Sequence, residues 1–167
     1  MIGDRWGVTE AEVQRHYGCD DFVSEPTLEA WRGVTVHADR TAVWARLRQV
    51  RVAPYSYDLV DNLGRRSPRE LLDLDDPAPG DPFTRALGRD QGRVLAVDPG
   101  RELTATIMGA HMSYVVEAGG PATRLLLKVV ARTQPWLAPA LSLGDLVMAR
   151  KQLLTLKALA EQDAPAR

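Results

Sequence analysis

The fold is decided by residues 144–162, which read GDLVMARKQLLTLKALAEQ. Apolar side chains recur there at helical spacing, so the stretch predicts the longest helix of the chain, from Gly144-Asp145 to about Gln162. Asp145 is expected near the N-terminus of this helix, where the helix dipole favours negative charge. So broad an apolar stripe predicts a helix that the rest of the protein covers over much of its circumference. The stripe consists of Leu146, Ala149, Leu153, Leu156 and Ala160, widened by Leu143, Val147, Met148 and Leu154.

The residues before this helix are typical of an antiparallel meander. Short runs of β-favouring residues alternate with turn signals such as Asp98-Pro99-Gly100, and strands joined by short turns pair in antiparallel fashion. The five predicted strands are Phe83–Leu87, Arg93–Val97, Glu102–Met108, Met112–Glu117 and Arg124–Arg132.

The last of these strands predicts one buried and one solvated face. Side chains alternate between the two faces of a strand, so one face carries only apolar residues. The other face carries three cations, with Leu126 and Val130 between them. The apolar face consists of Leu125, Leu127, Val129 and Ala131, and the cations are Arg124, Lys128 and Arg132.

The first half of the chain predicts one further strand and two helices after it. The strand is expected over Glu29–His37, and Asp39 then caps a helix that ends before Pro54. A short helix around Ser56 to Leu63 and a loop over residues 75–82 follow.

The N-terminal residues predict a short helix of their own. Thr9 and Glu12 have the spacing of a capping box, and the helix is expected to stop near Gly18. We therefore expect residues 1–26 to form a helical extension packed on the main domain. Residues 27–162 are expected to form that domain and residues 163–167 a flexible tail.

These elements predict an α+β fold. A sheet with one apolar face must be covered, and the last helix is the only predicted element long enough to cover it. Antiparallel sheets twist and curl. We expect a curved antiparallel sheet of about six to seven strands, wrapped around the long C-terminal helix in a helix-grip arrangement.

The order of elements resembles the START-like helix-grip superfamily, which includes polyketide cyclases, lipid-transfer domains and birch-pollen-allergen-like proteins. The resemblance covers roughly residues 28–161. Val34–Trp44 is similar to the first strand of the family and its following helix. Residues 53–68 and 144–157 look like a bacterial subgroup of unassigned function. The resemblance implies an internal cavity for a small, mostly hydrophobic molecule such as a lipid.

Composition excludes several other classes. A formal net charge of −1 gives no positive field to hold nucleic acid. One cysteine and three scattered histidines show no metal-ligand spacing. Without a phosphate loop or dinucleotide fingerprint, no cofactor is expected. The start lacks a signal-peptide pattern, and the uncharged stretch 133–144 is shorter than the roughly 20 residues of a membrane span, so a cytoplasmic location is expected.

Residues 55–66 mix aromatic rings with hydrogen-bonding groups, as ligand pockets do. We predict that Tyr55, Tyr57, Asn62 and Arg65 contact the ligand, with Asp58 as a catalytic candidate. Arg65 and its neighbour Arg66 would also suit an anionic group. The alternative is a structural network of aspartates and arginines around a short helix, with the tyrosines packed on the core.

Further candidates lie in the second half of the chain. His111 and Tyr114 would form an acid–base pair if both lined the cavity, which makes His111 a catalytic candidate beside Tyr57 and Asp58. Tyr114, Trp136 and Met148 are predicted ligand contacts. The alternatives are a histidine at the surface and a stripe that only packs the core.

Three functions remain open at this point. The first is a non-catalytic protein that binds a small hydrophobic molecule. The second is a cyclase or dehydratase that uses acid–base residues in the same cavity without a metal. The third is an interaction module, a homodimer formed through the N-terminal extension.

Overall fold

The computed structural model describes residues 3–56, 67–86, 88–120, 122–134, 136 and 138–164. The helix predicted over Ser56 to Leu63 lies almost wholly outside these residues. The helices are α1 (Glu10–Gln14), α2 (Arg40–Arg48) and α3 (Ala138–Asp163), with 3-10 helices at Gly18–Phe22 and Gln49–Arg51. The strands are β1 (Arg5–Trp6), β2 (Leu28–Val36), β3 (Pro82–Ala86), β4 (Arg89–Asp98), β5 (Glu102–Ile107), β6 (Ala110–Gly119) and β7 (Ala122–Ala131).

The strands form one curved seven-stranded sheet in the order β1-β2-β7-β6-β5-β4-β3. Strand β1 pairs parallel to β2, and every other neighbouring pair is antiparallel. The main apolar core lies between the inner face of this sheet and helices α2 and α3. The predicted α+β helix-grip fold is thus confirmed, and so is the antiparallel meander.

Helix α3 begins earlier than predicted, at Ala138 rather than at Gly144. Pro139 therefore lies in the first turn of the helix. A proline, which has no backbone N–H, is tolerated there because the N–H groups of a first turn have no acceptor within the helix. Asp145 therefore lies about two turns inside the helix and not at its N-terminus.

The predicted broad cover of α3 is wrong for one side of the helix. Leu153, Leu156 and Ala160 are buried as expected, but Leu143 and Val147 are about half exposed. The sheet contacts α3 along one side only, because a single helix on a concave sheet cannot be surrounded by it.

The predicted solvated face of β7 is also wrong. Leu126 and Val130 are fully buried, and Lys128 is only 5% exposed. Leu126 and Val130 form a second apolar cluster with residues of the N-terminal segment, including Val13, Tyr17 and Cys19. The alternation of β7 identified its two faces correctly, but it could not show that another segment covers the outer one.

The N-terminal segment, residues 3–27, is fastened to this outer face by polar contacts. Thr9 and Glu12 form the predicted capping box, although α1 ends at Gln14 and not near Gly18. Arg124 donates to both carboxylate oxygens of Glu12, at 2.8 and 2.9 Å. The backbone N–H of Cys19 donates to Ser113 Oγ at 2.8 Å. Lys128 Nζ pairs with Asp20 Oδ1 at 2.5 Å.

A pair of glycines lets this segment cross β2 closely. Gly7 has φ +68°, and a Cβ there would overlap the carbonyl oxygen of Gly33 on β2. Both conditions favour glycine, which lacks a Cβ and accepts positive φ. The crossing positions β1 beside β2. The sequence pattern did not predict β1.

The thiol of Cys19 reports on whether this segment stays docked. Cys19 is the only cysteine and is fully buried, and burial raises the pKa of its thiol to about 12. We expect Ellman's reagent to label the native protein at least about a hundredfold more slowly than the urea-unfolded chain, since only the thiolate reacts. Arg124→Gln should accelerate labelling under native conditions, and equal rates for native and unfolded protein would contradict the docked position.

The contact between Glu12 and Arg124 predicts a dependence of stability on pH. Burial acts to raise the pKa of Glu12, but hydrogen bonds from Arg124 and Thr9 hold it below its ordinary value of 4.5. A carboxyl group with a lowered pKa stabilises the fold above its ordinary pKa, and this contribution is lost as the pH falls through the folded-state value.

Urea unfolding of the wild type and Glu12→Gln from neutral to acidic pH measures this contribution. The difference in the free energy of unfolding should be largest at neutral pH and should shrink below pH 4.5. Glu10→Gln on the exposed side of α1 is the matched control. A difference that stays constant with pH would show that the carboxylate charge of Glu12 contributes nothing.

Candidate functional site

A cavity of about 540 Å³ lies between α3 and the inner face of strands β3 to β7. Most of its lining is apolar, including Val50, Phe83, Ile107, Leu127, Val129 and Ala149. Three methionines, Met108, Met112 and Met148, also line it. Since well-packed interiors rarely leave voids larger than a water molecule, this volume is the principal candidate for a site.

Tyr114 and Gln152 form a short hydrogen-bonded chain in the cavity wall. Tyr114 Oη lies 2.6 Å from Gln152 Oε1, and Gln152 Nε2 donates to the carbonyl oxygen of Pro54 at 2.7 Å. A carbonyl can only accept, so Pro54 fixes the orientation of the amide. Gln152 therefore presents its oxygen to Tyr114, and the tyrosine hydroxyl is the donor. Burial raises the pKa of Tyr114 far above its ordinary value, so the phenol is neutral at physiological pH.

Among the described residues of the cavity lining, Asp145 is the charged one, and its partner is Arg32. Arg32 Nη2 donates to Asp145 Oδ2 at 2.9 Å. Arg32 is completely buried because β2 alternates, which turns it to the inner face with Ala30 and Val34. The side chain of Asp145 remains 26% exposed. The arginine thus lies behind the aspartate, and the aspartate meets the cavity.

Burial dominates the electrostatics of this pair. It raises the pKa of Asp145, although the Arg32 guanidinium acts in the opposite direction. It also lowers the pKa of Arg32, although Asp145 opposes that shift. Both directions mean that removing the charges from water costs more than their mutual attraction returns.

Helix α3 brings the polar groups to one face by its spacing. Asp145, Met148, Ala149 and Gln152 follow one another at i, i+3, i+4 and i+7, which places them on one side over two turns. All four line the cavity. Tyr114 reaches the same place from β6.

The structure brings two of the predicted ligand contacts into this cavity, Tyr114 and Met148. Trp136 is 75% exposed and is not among the cavity-lining residues. The candidates Tyr57, Asp58, Asn62 and Arg65 lie outside the described residues.

Tyr55 lies elsewhere, in a packed hydrogen-bonded arrangement. It is 1% exposed, donates to the carbonyl oxygen of Pro68 at 2.8 Å and accepts from Gln49 Nε2 at 2.7 Å. It borders a smaller pocket of about 280 Å³ on another side of α3, together with Arg69 and Lys151. Its burial in the main core agrees with the packed tyrosine of the alternative, whose aspartates and arginines lie outside the described residues.

His111 and Tyr114 lie on opposite faces of β6. Their separation of three residues requires this, because side chains alternate along a strand. Tyr114 faces the cavity, whereas His111 stacks on Phe22 of the N-terminal segment with ring centroids 5.9 Å apart. The structure therefore does not bring the two together as an acid–base pair.

Arg32 and Gln152 were not predicted from the sequence, and Asp145 was predicted in another role. The available signal was the seven-residue separation of Asp145 and Gln152, which is two helical turns along the edge of the apolar stripe. For Arg32, the available signal was a charged residue at an inward position of a predicted strand. Both signals point to the cavity only when the start of α3 is known.

Within the described ranges, no three histidine, cysteine, aspartate or glutamate side chains are grouped so as to hold a metal ion. None of the helices in those ranges is long and apolar enough to cross a membrane.

The fold, though not the sequence, is found in known proteins. No family model matches the chain, and no curated protein matches it in sequence. A crystal structure of a Mesorhizobium loti protein is similar with a TM-score of 0.53 at 15% identity, and the match covers 81% of this chain and 98% of that one. A Staphylococcus saprophyticus protein gives a TM-score of 0.56 at 10% identity over 84% and 96% of the two chains.

A third structure is that of the self-sacrificing resistance protein CalC from Micromonospora echinospora. It gives a TM-score of 0.54 at 14% identity and covers 84% of this chain and 99% of that one. These likenesses show a shared fold, which is the helix-grip arrangement expected from the sequence. Membership of the START-like superfamily stays a prediction.

Proposed function

We propose that this chain binds a small, mostly apolar molecule in the cavity between the sheet and α3. The observation that carries the proposal is an apolar cavity of about 540 Å³ in the middle of the domain. This volume is typical of small-molecule sites, which also combine apolar walls with a few polar groups. The proposal includes the domain boundaries expected from the sequence, with residues 27–162 as the binding domain.

The methionines suit a binding wall. Their unbranched, polarisable side chains adapt to the shape of what they contact. Met148 comes from α3, Met112 from β6 and Met108 from the turn between β5 and β6. An apolar ligand would therefore meet adaptable surface from helix and sheet together.

Met108 indicates where the cavity reaches the surface. It lines the cavity and yet is 95% exposed. Its backbone has φ +51°, which a methionine rarely adopts, and the turn then continues with Gly109. An apolar side chain held in this conformation at the rim supports an entrance at the β5–β6 turn.

An enzyme of the cyclase or dehydratase type is the second candidate, in the same cavity. The observation in its favour is that Asp145, a carboxyl group whose pKa burial raises, lies in the lining close to Tyr114. A carboxyl group with a raised pKa is a candidate for proton transfer. This candidate would be established if the chain converts a bound compound and Asp145→Asn abolishes the conversion without loss of binding. If bound compounds are recovered unchanged, the chain binds them without catalysing a reaction.

The homodimer remains a prediction. Its proposed contact, the N-terminal segment, packs on the chain's own sheet through β1 and the outer cluster. Size-exclusion chromatography of the full chain and of a chain beginning near Glu25 distinguishes a dimer contact from an internal one.

A bulky substitution inside the cavity should prevent binding. Met148→Trp places an indole in the space proposed for the ligand, whereas Val147→Trp places it on the exposed side of the same helix. We expect the neutral probe N-phenylnaphthylamine to bind Met148→Trp at least about tenfold more weakly than wild type, a loss of about 1.4 kcal/mol.

Fluorescence titration of the three proteins measures this effect, and thermal unfolding checks that both variants are folded. Val147→Trp carries the same added chromophore, so it corrects for optical effects. Equal affinities of the two variants would place the probe outside the cavity and contradict the proposed function.

A further inference from the structure

Three of the polar residues in the cavity lining keep hydrogen-bonding positions that the described part of the chain does not use: Tyr114, Gln152 and Asp145. Tyr114 uses its only proton on Gln152 and keeps an acceptor position on its oxygen. Gln152 uses one N–H on Pro54 and keeps a second. Thr84, another polar residue of the lining, donates to the carbonyl oxygen of Val50 at 2.6 Å.

Asp145 contributes the strongest of these positions. Its Oδ2 accepts from Arg32, and Oδ1 has no hydrogen bond within the described part of the chain. A carboxylate oxygen accepts more strongly than a neutral group. The cavity lining thus includes a charged acceptor, a phenol acceptor and an amide donor.

The charge of Asp145 is already balanced from behind. Arg32 donates to the carbonyl oxygens of Asp4, Trp31 and Ser142 as well as to Asp145, so its charge stays fixed at this position. The pair is neutral as a unit. A ligand cation would have to leave water without a counter-charge of its own, and a ligand anion would meet the carboxylate first.

The matched ion pair at the other end of α3 lacks this open position. Asp163 accepts from Arg46 with both oxygens, Oδ2 from Nε at 2.5 Å and Oδ1 from Nη2 at 2.8 Å. The two aspartates sit on the same helix, and each pairs with an almost fully buried arginine. Of the two aspartates, Asp145 lines the cavity, and its Oδ1 is not used in the contact with the arginine.

Resting on the proposed function, we infer that the ligand is a neutral, mostly apolar molecule with a hydroxyl group. The hydroxyl donates to Asp145 Oδ1 and lies against Tyr114 and Gln152. A hydroxyl both donates and accepts, so it fits a site with acceptors and a spare donor. An ether can only accept, and an ammonium group can only donate.

Three probes with one shared ring system test this selection. They are naphthalenemethanol, its methyl ether and naphthalenemethylamine, measured by titration calorimetry with the full chain. We expect the alcohol to bind about tenfold more tightly than the ether, since a hydrogen bond to a charged acceptor typically gives that factor or more. The alcohol should also bind more tightly than the amine.

Asp145→Asn should remove the preference through a defined change in geometry. The Arg32 guanidinium only donates, so it retains the asparagine oxygen and turns the amide NH₂ toward the cavity. The ratio of alcohol to ether affinity should then fall to about one. Asp163→Asn also weakens an arginine bridge on α3, and it should leave the ratio as in wild type.

Two further variants keep the test decisive if Asp145→Asn is poorly folded. Tyr114→Phe should reduce the ratio, because one of the atoms beside the hydroxyl is lost. Gln91→Leu removes an amide from another part of the lining and should not change it.

The outcomes separate this inference from the proposed function. Equal binding of alcohol and ether by the wild type overturns the hydroxyl site and leaves the apolar cavity as a binding site. Tighter binding of the amine would show a cation site instead. A ratio lost in Gln91→Leu and kept in Asp145→Asn assigns recognition to Gln91. If none of the probes binds, the proposed function fails together with the inference.

Discussion

The buried guanidinium of Arg32 is the interaction on which the arrangement of the molecule depends. Its four hydrogen bonds reach the N-terminal segment at Asp4, its own strand at Trp31 and helix α3 at Ser142 and Asp145. An arginine so fully buried is stable only when most of its N–H groups find partners, and here both Nη atoms have them while Nε lacks one within the described residues. Arg32 thus helps to fix the position of α3 over the sheet, together with the apolar contacts of the core and the contact of Lys157 with β2.

Both faces of the sheet are covered along β2, β7 and β6. Helices α2 and α3 cover the inner face, and the N-terminal segment covers the outer one through Tyr17, Cys19 and the contacts of Lys128. The outer cluster thus supports the cavity without contacting it, and this gives residues 3–27 a structural role.

Local patterns in the sequence predicted most of the elements, but neither β1 nor the start of α3, and they did not predict which segments pack together. Strand alternation predicted which side chains of β7 share a face, and the residues Thr9, Glu12 and Asp39 marked helix starts correctly. Burial of Lys128 could not be predicted, because it depends on a segment about a hundred residues away. The roles of Asp145 and Gln152 were hidden by Gly144, which resembles a helix boundary, whereas the helix continues through it from Ala138.

The two ion pairs of α3 distinguish a structural bridge from a functional one. Arg46 and Asp163 meet through two parallel hydrogen bonds, the arrangement in which an arginine and a carboxylate stabilise each other best. Arg32 and Asp145 share one such bond, and burial shifts the pKa of each toward its neutral form. The pair is therefore not explained by its own attraction alone, although removing either partner would leave a buried charge unpaired. Its position in the wall of an apolar cavity suits the hydroxyl group proposed above, which would complete the hydrogen bonding of Asp145.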